Sequence, residues 1–175
     1  MSEELLENGS VEQEKKTTLD RLQLIEIMQA AQKGDQIPLR VTGGSMIPFL
    51  FDQRSLVFLE KDPDYVPKKG DIVFFARPDL ALVLHRIVEV RQDGTLLING
   101  DAQSWTEVIH PKQILGHVTH IRRRVRVFSV NSRFYRLAVR LWMPLRRLHP
   151  VLSVPFFYWN CLVFKLSRRY RNLYS

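Results

Sequence analysis

The chain has 175 residues, 45% of them apolar, and a formal charge of +8 at neutral pH, enough for one domain with its own core and an appendage. Its single cysteine, Cys161, excludes an intramolecular disulfide and lies in an apolar stretch, where it reads as a small buried hydrophobe. The charge is divided unevenly: the first 121 residues hold 13 basic and all 18 acidic groups, while from Arg122 onward there are 13 Lys or Arg and no Asp or Glu, a pattern that directs a basic segment toward a polyanion, either a phospholipid surface or nucleic acid.

Residues 1–16 are acidic and polar and read as a disordered lead without the apolar run of a cleavable signal peptide. The expected location is therefore cytoplasmic, or on or in a membrane through the C-terminal tail. A helix is predicted over 17–36, with Leu19, Leu22, Ile25, Ile27, Met28 and Ala31 at helical spacing and Gly34 as its stop. Residues 37–122 read as a β-domain. Strands are predicted at Pro38–Val41, Ser55–Leu59, Asp71–Ala76, Ala81–Val90, Leu96–Ile98 and Ile114–Arg122, separated by Pro, Gly, Asp and Asn turn signals. Many short strands at this spacing predict a small twisted sheet or partly closed barrel.

The tail, 123–175, changes character. Phe134–Arg147 places bulky apolar groups and arginines at helical spacing, interrupted by Pro144. Pro150–Leu166 has one charge in 17 residues and is followed by Arg168, Arg169 and Arg171. That stretch is short of the roughly 20 apolar residues of a bilayer span, and its Trp, Tyr and Phe with flanking arginines suit a membrane interface. A span and plain packing on the β-domain are the alternatives. A membrane surface contacted through 134–171 is the expected partner. Nucleic acid is disfavoured, because the arginines are interleaved with Trp, Phe and Leu.

Two stretches carry chemistry. Ser45 follows Gly43 and Gly44 and precedes Pro48, a turn in which glycines permit close backbone approach and N–H groups could face an oxyanion. His85 ends the run Leu80–Leu84; its ordinary pKa of roughly 6.5 suits it to accept a proton from serine. Taken singly, Ser45 reads as a turn serine and His85 as a core histidine. Asp101, after Asn99 and Gly100, is placed to orient an imidazole or to make an Asx turn, and Glu107 is a second acid of the same kind. His110, His117 and His120 lack metal-ligand spacing, so neither a metal nor another cofactor is expected.

In order along the chain, Gly44-Ser45-Met46-Ile47-Pro48, Lys69-Gly70-Asp71-Ile72-Val73-Phe74, His85-Arg86-Ile87-Val88, Asn99-Gly100-Asp101-Ala102 and Ile114-Leu115-Gly116-His117-Val118 resemble the successive boxes of the type I signal peptidases. That group extends to the LexA-type self-cleaving repressors and forms with them the S24/S26 peptidase superfamily. The resemblance covers about residues 38–122. It implies a mainly β catalytic fold with Ser45 as nucleophile, and a histidine at position 85 resembles the branch whose general base is histidine rather than lysine. By the same analogy Asp101 is the closest match for the third residue. The family's Gly-Asp-Asn box reads Gly100-Asp101-Ala102 here, so Asp101, Glu107 or no acid at all fills that role. The N-terminal transmembrane anchor of signal peptidases has no counterpart in the sequence.

The resulting expectation is a serine endopeptidase that cleaves a precursor, leader or signal peptide. Ser45 attacks, His85 takes its proton, Asp101 orients His85, Gly44 contributes to the oxyanion site, and Met46 and Ile47 line an apolar groove for an extended peptide. The alternative is a catalytically weak or inactive peptide-binding module of the same fold, held at a membrane by its tail. The sequence leaves substrate and oligomeric state open.

Overall fold

The computed structural model describes residues 20–156, 158 and 159. The acidic lead expected over 1–16 and all of 160–175, Cys161 included, fall outside them. Helix α1 (20–30) is followed by eight strands: β1 (Gln36–Arg40), β2 (Ser55–Glu60), β3 (Ile72–Ala76), β4 (Leu82–Val90), β5 (Leu96–Asn99), β6 (Glu107–Ile109), β7 (Ile114–Arg123) and β8 (Arg126–Ser129). Helix α2 (Arg133–Trp142), a 3₁₀ segment (Met143–Leu148) and helix α3 (149–156) complete the described chain. All the strands belong to one antiparallel sheet in the order β1-β2-β7-β3-β4-β5-β6, with β8 also on β7. The path has two ends, β1 and β6, so the sheet is twisted and not closed into a barrel.

Six strands match the predicted segments to within two residues at each end; β6 and β8 were not predicted. β6 has three residues and shows no period of its own. β8 lies beyond the expected domain boundary at 122, directly after the run Arg122-Arg123-Arg124-Val125, and its four residues show no clear alternation. β7 is ten residues long and has room for two partners on one side: Ile114–His117 pair with β3, and His120–Arg123 pair with β8. The sheet therefore continues to Ser129.

Side-chain alternation divides the core. β2 buries Ser55, Val57 and Leu59 and turns Leu56, Phe58 and Glu60 outward, the pattern of a half-covered strand. β3 is buried on both faces: Ile72 and Phe74 enter one cluster with Val57, Leu59, Val118 and Ile121, while Val73 and Phe75 enter another with Ile87, Leu96, Ile98 and Ile109. The first cluster also takes Met28 from α1 and Tyr135 and Val139 from α2. In α1 the inward row is Leu24 and Met28; Leu22 and Ile27, expected on that row, are exposed. Gly116 on β7 leaves the space that the Met28 methyl occupies; a Cβ there would collide with it. Among the described residues no helix is long and apolar enough to cross a membrane.

Candidate active site

The loop between β1 and β2 is closed at its neck. Val41 N–H donates to Ser55 O (3.0 Å) and Gln53 N–H to Val41 O (2.9 Å). Gly43 takes φ of +82°, and its N–H donates to Asp52 Oδ1 at 2.9 Å. After Ser45 the chain makes one tight turn, with Ile47 N–H on Gly44 O (3.3 Å) and Leu50 N–H on Met46 O (2.8 Å). The Ile47–Pro48 peptide bond is cis. Met46, Phe49 and Leu50 drop into the first core cluster, so the position of Ser45 is fixed by apolar burial immediately beyond it. Among the described residues neither Gly44 N–H nor Ser45 N–H has an acceptor.

His85 stands in the middle of β4, opposite Val73 of β3, and is 3% exposed. The last pair between β4 and β5 is Arg86 with Asn99, so β5 leaves the sheet before it would pass His85. Glu107, the first residue of β6, reaches the imidazole in that gap: its Oε1 lies 3.2 Å from His85 Nδ1. Arg77, in the β3–β4 turn, grips the same carboxylate with two bonds, Nε to Oε2 at 2.8 Å and Nη2 to Oε1 at 2.6 Å. The ring of Trp105 packs edge-on to His85 with centroids 6.1 Å apart.

Burial holds the His85 pKa below its ordinary value; the Glu107 carboxylate opposes that shift, and the Arg77 charge adds to it. The imidazole is therefore neutral at neutral pH. With Nδ1 facing a carboxylate, Nδ1 carries the proton and Nε2 is the free base. Replacing Arg77 by Met should raise the His85 pKa by removing a nearby positive charge. The acid limb of any pH–rate profile should then move to higher pH; a limb that stays in place would remove Arg77 from the circuit.

Asp101 was expected to orient His85, and the structure places it elsewhere. Its carboxylate is held by Arg86, Nε to Oδ1 at 2.7 Å and Nη2 to Oδ2 at 2.6 Å, with the two side chains 1% and 3% exposed. The reason lies in the pleat: successive residues of β4 face opposite sides of the sheet, so Arg86 points away from the His85 side and takes the acid of the 99–102 turn with it. Arg86 also donates to Gly70 O (2.8 Å) and to the Tyr135 hydroxyl (3.1 Å), and its guanidinium lies 4.8 Å from the centre of the Phe49 ring. Burial works against its charge, and the Asp101 carboxylate and Tyr135 together more than offset that, keeping the guanidinium pKa above its ordinary value.

The Asp101 turn still touches the Ser45 loop. Ala102 N–H donates to Ser45 O at 2.8 Å. Gly100 makes that approach possible, since a Cβ at this position would stand 2.8 Å from the same Ser45 carbonyl. Trp142 Nε1 of α2 donates to Asp101 O at 2.9 Å, which ties the turn to the C-terminal helices.

Ser45 and His85 line one groove of about 390 Å³, walled by Leu24, Leu39, Met46, Phe74, Leu82 and Leu84. No hydrogen bond joins the two side chains in this structure. Met46 is buried in the groove wall, and Ile47 lines a smaller hollow beside Gly44, Ala102 and Ser153. Among the described residues no group of three His, Cys, Asp or Glu is placed to hold a metal ion. The roles of Glu107 and Arg77 depend on contacts 22 and 30 residues apart in sequence. Glu107 was the second acid considered from sequence; Arg77 had no local signal.

A family model described as Peptidase S24-like matches residues 5–119, well over half of the chain. No curated protein and no solved structure matches it.

Proposed function

The chain belongs to the Peptidase S24-like family, and from that premise we propose that it is a serine endopeptidase of the histidine-base kind, with Ser45 as nucleophile, His85 as general base and Glu107 as the acid that orients the base. One observation supports this above the others: the buried imidazole has a carboxylate on Nδ1 and shares a groove with a serine set in a rigid glycine turn.

In the proposed reaction Ser45 Oγ attacks a peptide carbonyl while His85 Nε2 takes the hydroxyl proton. The N–H groups of Gly44 and Ser45 stabilise the oxyanion. The imidazolium, stabilised by Glu107, returns its proton to the leaving amine, and water then releases the acyl group by the same exchange. The Ser45-to-His85 bond that is missing at rest would form as substrate fills the groove, since catalytic hydrogen bonds often tighten only in the complex. The apolar walls favour an extended substrate with apolar side chains, as in a leader or precursor peptide. β1, an edge strand beside the groove, offers a free edge for strand addition.

A fluorophosphonate probe tests the reading directly. Wild-type protein should be labelled at Ser45, and Ser45→Ala should be neither labelled nor able to cleave any member of a peptide library. Equal cleavage by the two proteins would end the proposal. Peptide binding to folded wild-type protein without labelling would favour the second reading, a peptide-binding module, which the unjoined Ser45 and His85 motivate.

A further inference from the structure

We propose that the outward side of helix α2 is a docking surface for anionic phospholipid membranes. The helix has three faces. Tyr135, Val139 and Trp142 pack inward on the sheet and on Phe49. Phe134, Leu137 and Leu141, spaced i, i+3 and i+7, form a second row that is 89%, 54% and 65% exposed. A soluble helix covers such a row or makes it polar. Arg133, Arg136 and Arg140 form a third row between the other two, on the outward side.

Charge decides which partner fits. Nothing acidic follows Glu107 in the chain, so every charged side chain of α2 is a cation. The arginine row faces Lys69 across a groove of about 980 Å³, which makes the basic surface the product of two elements. The one carboxylate on that groove, Asp71, already accepts the Tyr65 hydroxyl (2.8 Å) and Lys68 N–H (3.1 Å). Bulky apolar side chains beside arginines whose stems can lie along the acyl boundary match the lipid interface. A nucleic-acid surface would place small polar groups among its cations. The apolar exposure continues past the helix at Val151 (71%) and Trp159 (64%). Because α3 contributes Ser153 and Val154 to the hollow beside Gly44 and Ile47, a protein docked this way holds its nucleophile's loop close to the lipid surface.

Flotation of the full chain with phosphatidylcholine vesicles, with and without phosphatidylglycerol, tests the proposal. Wild-type protein should float with the anionic vesicles and lose binding as salt rises. The pair Phe134→Ser and Leu141→Ser should lower partitioning about tenfold or more, and the pair Arg136→Glu and Arg140→Glu should remove the preference for phosphatidylglycerol. All four positions are on the surface, and thermal unfolding checks that each variant is folded. Absence of flotation at low salt, or flotation unchanged in both folded variants, overturns the proposal. Salt-sensitive binding to duplex DNA without flotation reassigns the face to nucleic acid. A concentration-dependent dimer that the same substitutions dissolve, again without flotation, reassigns it to a second copy of the chain.

Discussion

Asp101→Ala should destabilise the protein by about 3–5 kcal/mol, the usual cost of leaving a buried charge without its partner. Arg86 is 1% exposed and its guanidinium cannot lose its proton, so it has no cheap response to the loss. The bonds from Arg86 to Gly70 O and the Tyr135 hydroxyl remain, but neither acceptor carries a charge. In a domain of this size a loss of that order lowers Tm by on the order of 10 °C. Activity should fall too, because the Asp101 turn supplies the Ala102 N–H that holds the Ser45 carbonyl. The acid limb of the pH–rate profile should move little, since the acid on the imidazole is Glu107. Thermal unfolding of Asp101→Ala beside the double variant Arg86→Met/Asp101→Leu checks the cause. Removing both charges should recover most of the lost stability. A single variant with an unchanged Tm and a displaced acid limb would return Asp101 to the base and refute this account.

This contrast shows what the sequence could and could not carry. Strands with a clear period, such as β2, or a long apolar run, such as β4, were legible because burial on one face or both leaves its mark locally. β6 was not, because Glu107-Val108-Ile109 is too short to show alternation, and neither was β8, four residues that follow a run of arginines and open on Arg126. Ser45 and His85 stood out as members of ordered motifs. Which acid faces His85 did not. Asp101 and Glu107 lie within six positions of each other, in the two ends of one irregular connection. Only the pleat of β4 and the early end of β5 decide which of them meets His85 and which meets Arg86. Both are facts of register and pairing, which a motif does not encode. For the tail the sequence leaves interfacial membrane contact, a span and packing as alternatives. Helix α2 does pack, through Tyr135, Val139 and Trp142, and leaves the row Phe134, Leu137 and Leu141 exposed.

Glu107→Gln should lower kcat/KM by about 10²–10⁴ while leaving the fold intact. The amide keeps an oxygen for Arg77, but the group facing His85 can now be an N–H₂. A donor at that place favours the tautomer with the proton on Nε2, which leaves that nitrogen unable to accept one from Ser45. The loss should appear in kcat rather than in KM, because the carboxylate stabilises the imidazolium that forms only as the reaction proceeds. The pH dependence carries a second signal. In the resting protein burial lowers the His85 pKa and the Glu107 carboxylate raises it. Removing the carboxylate leaves burial and Arg77 against only the smaller pull of Asp101, so the pKa falls further and the acid limb moves to lower pH. Arg77→Met removes a positive charge and moves the limb the other way. Opposite displacements from two residues of the same ion pair are hard to produce by general damage, since loss of packing would move both in one direction. Retention of the wild-type rate in Glu107→Gln, or limbs displaced in the same direction, would mean that the carboxylate holds Arg77 for structural reasons and that His85 acts without it.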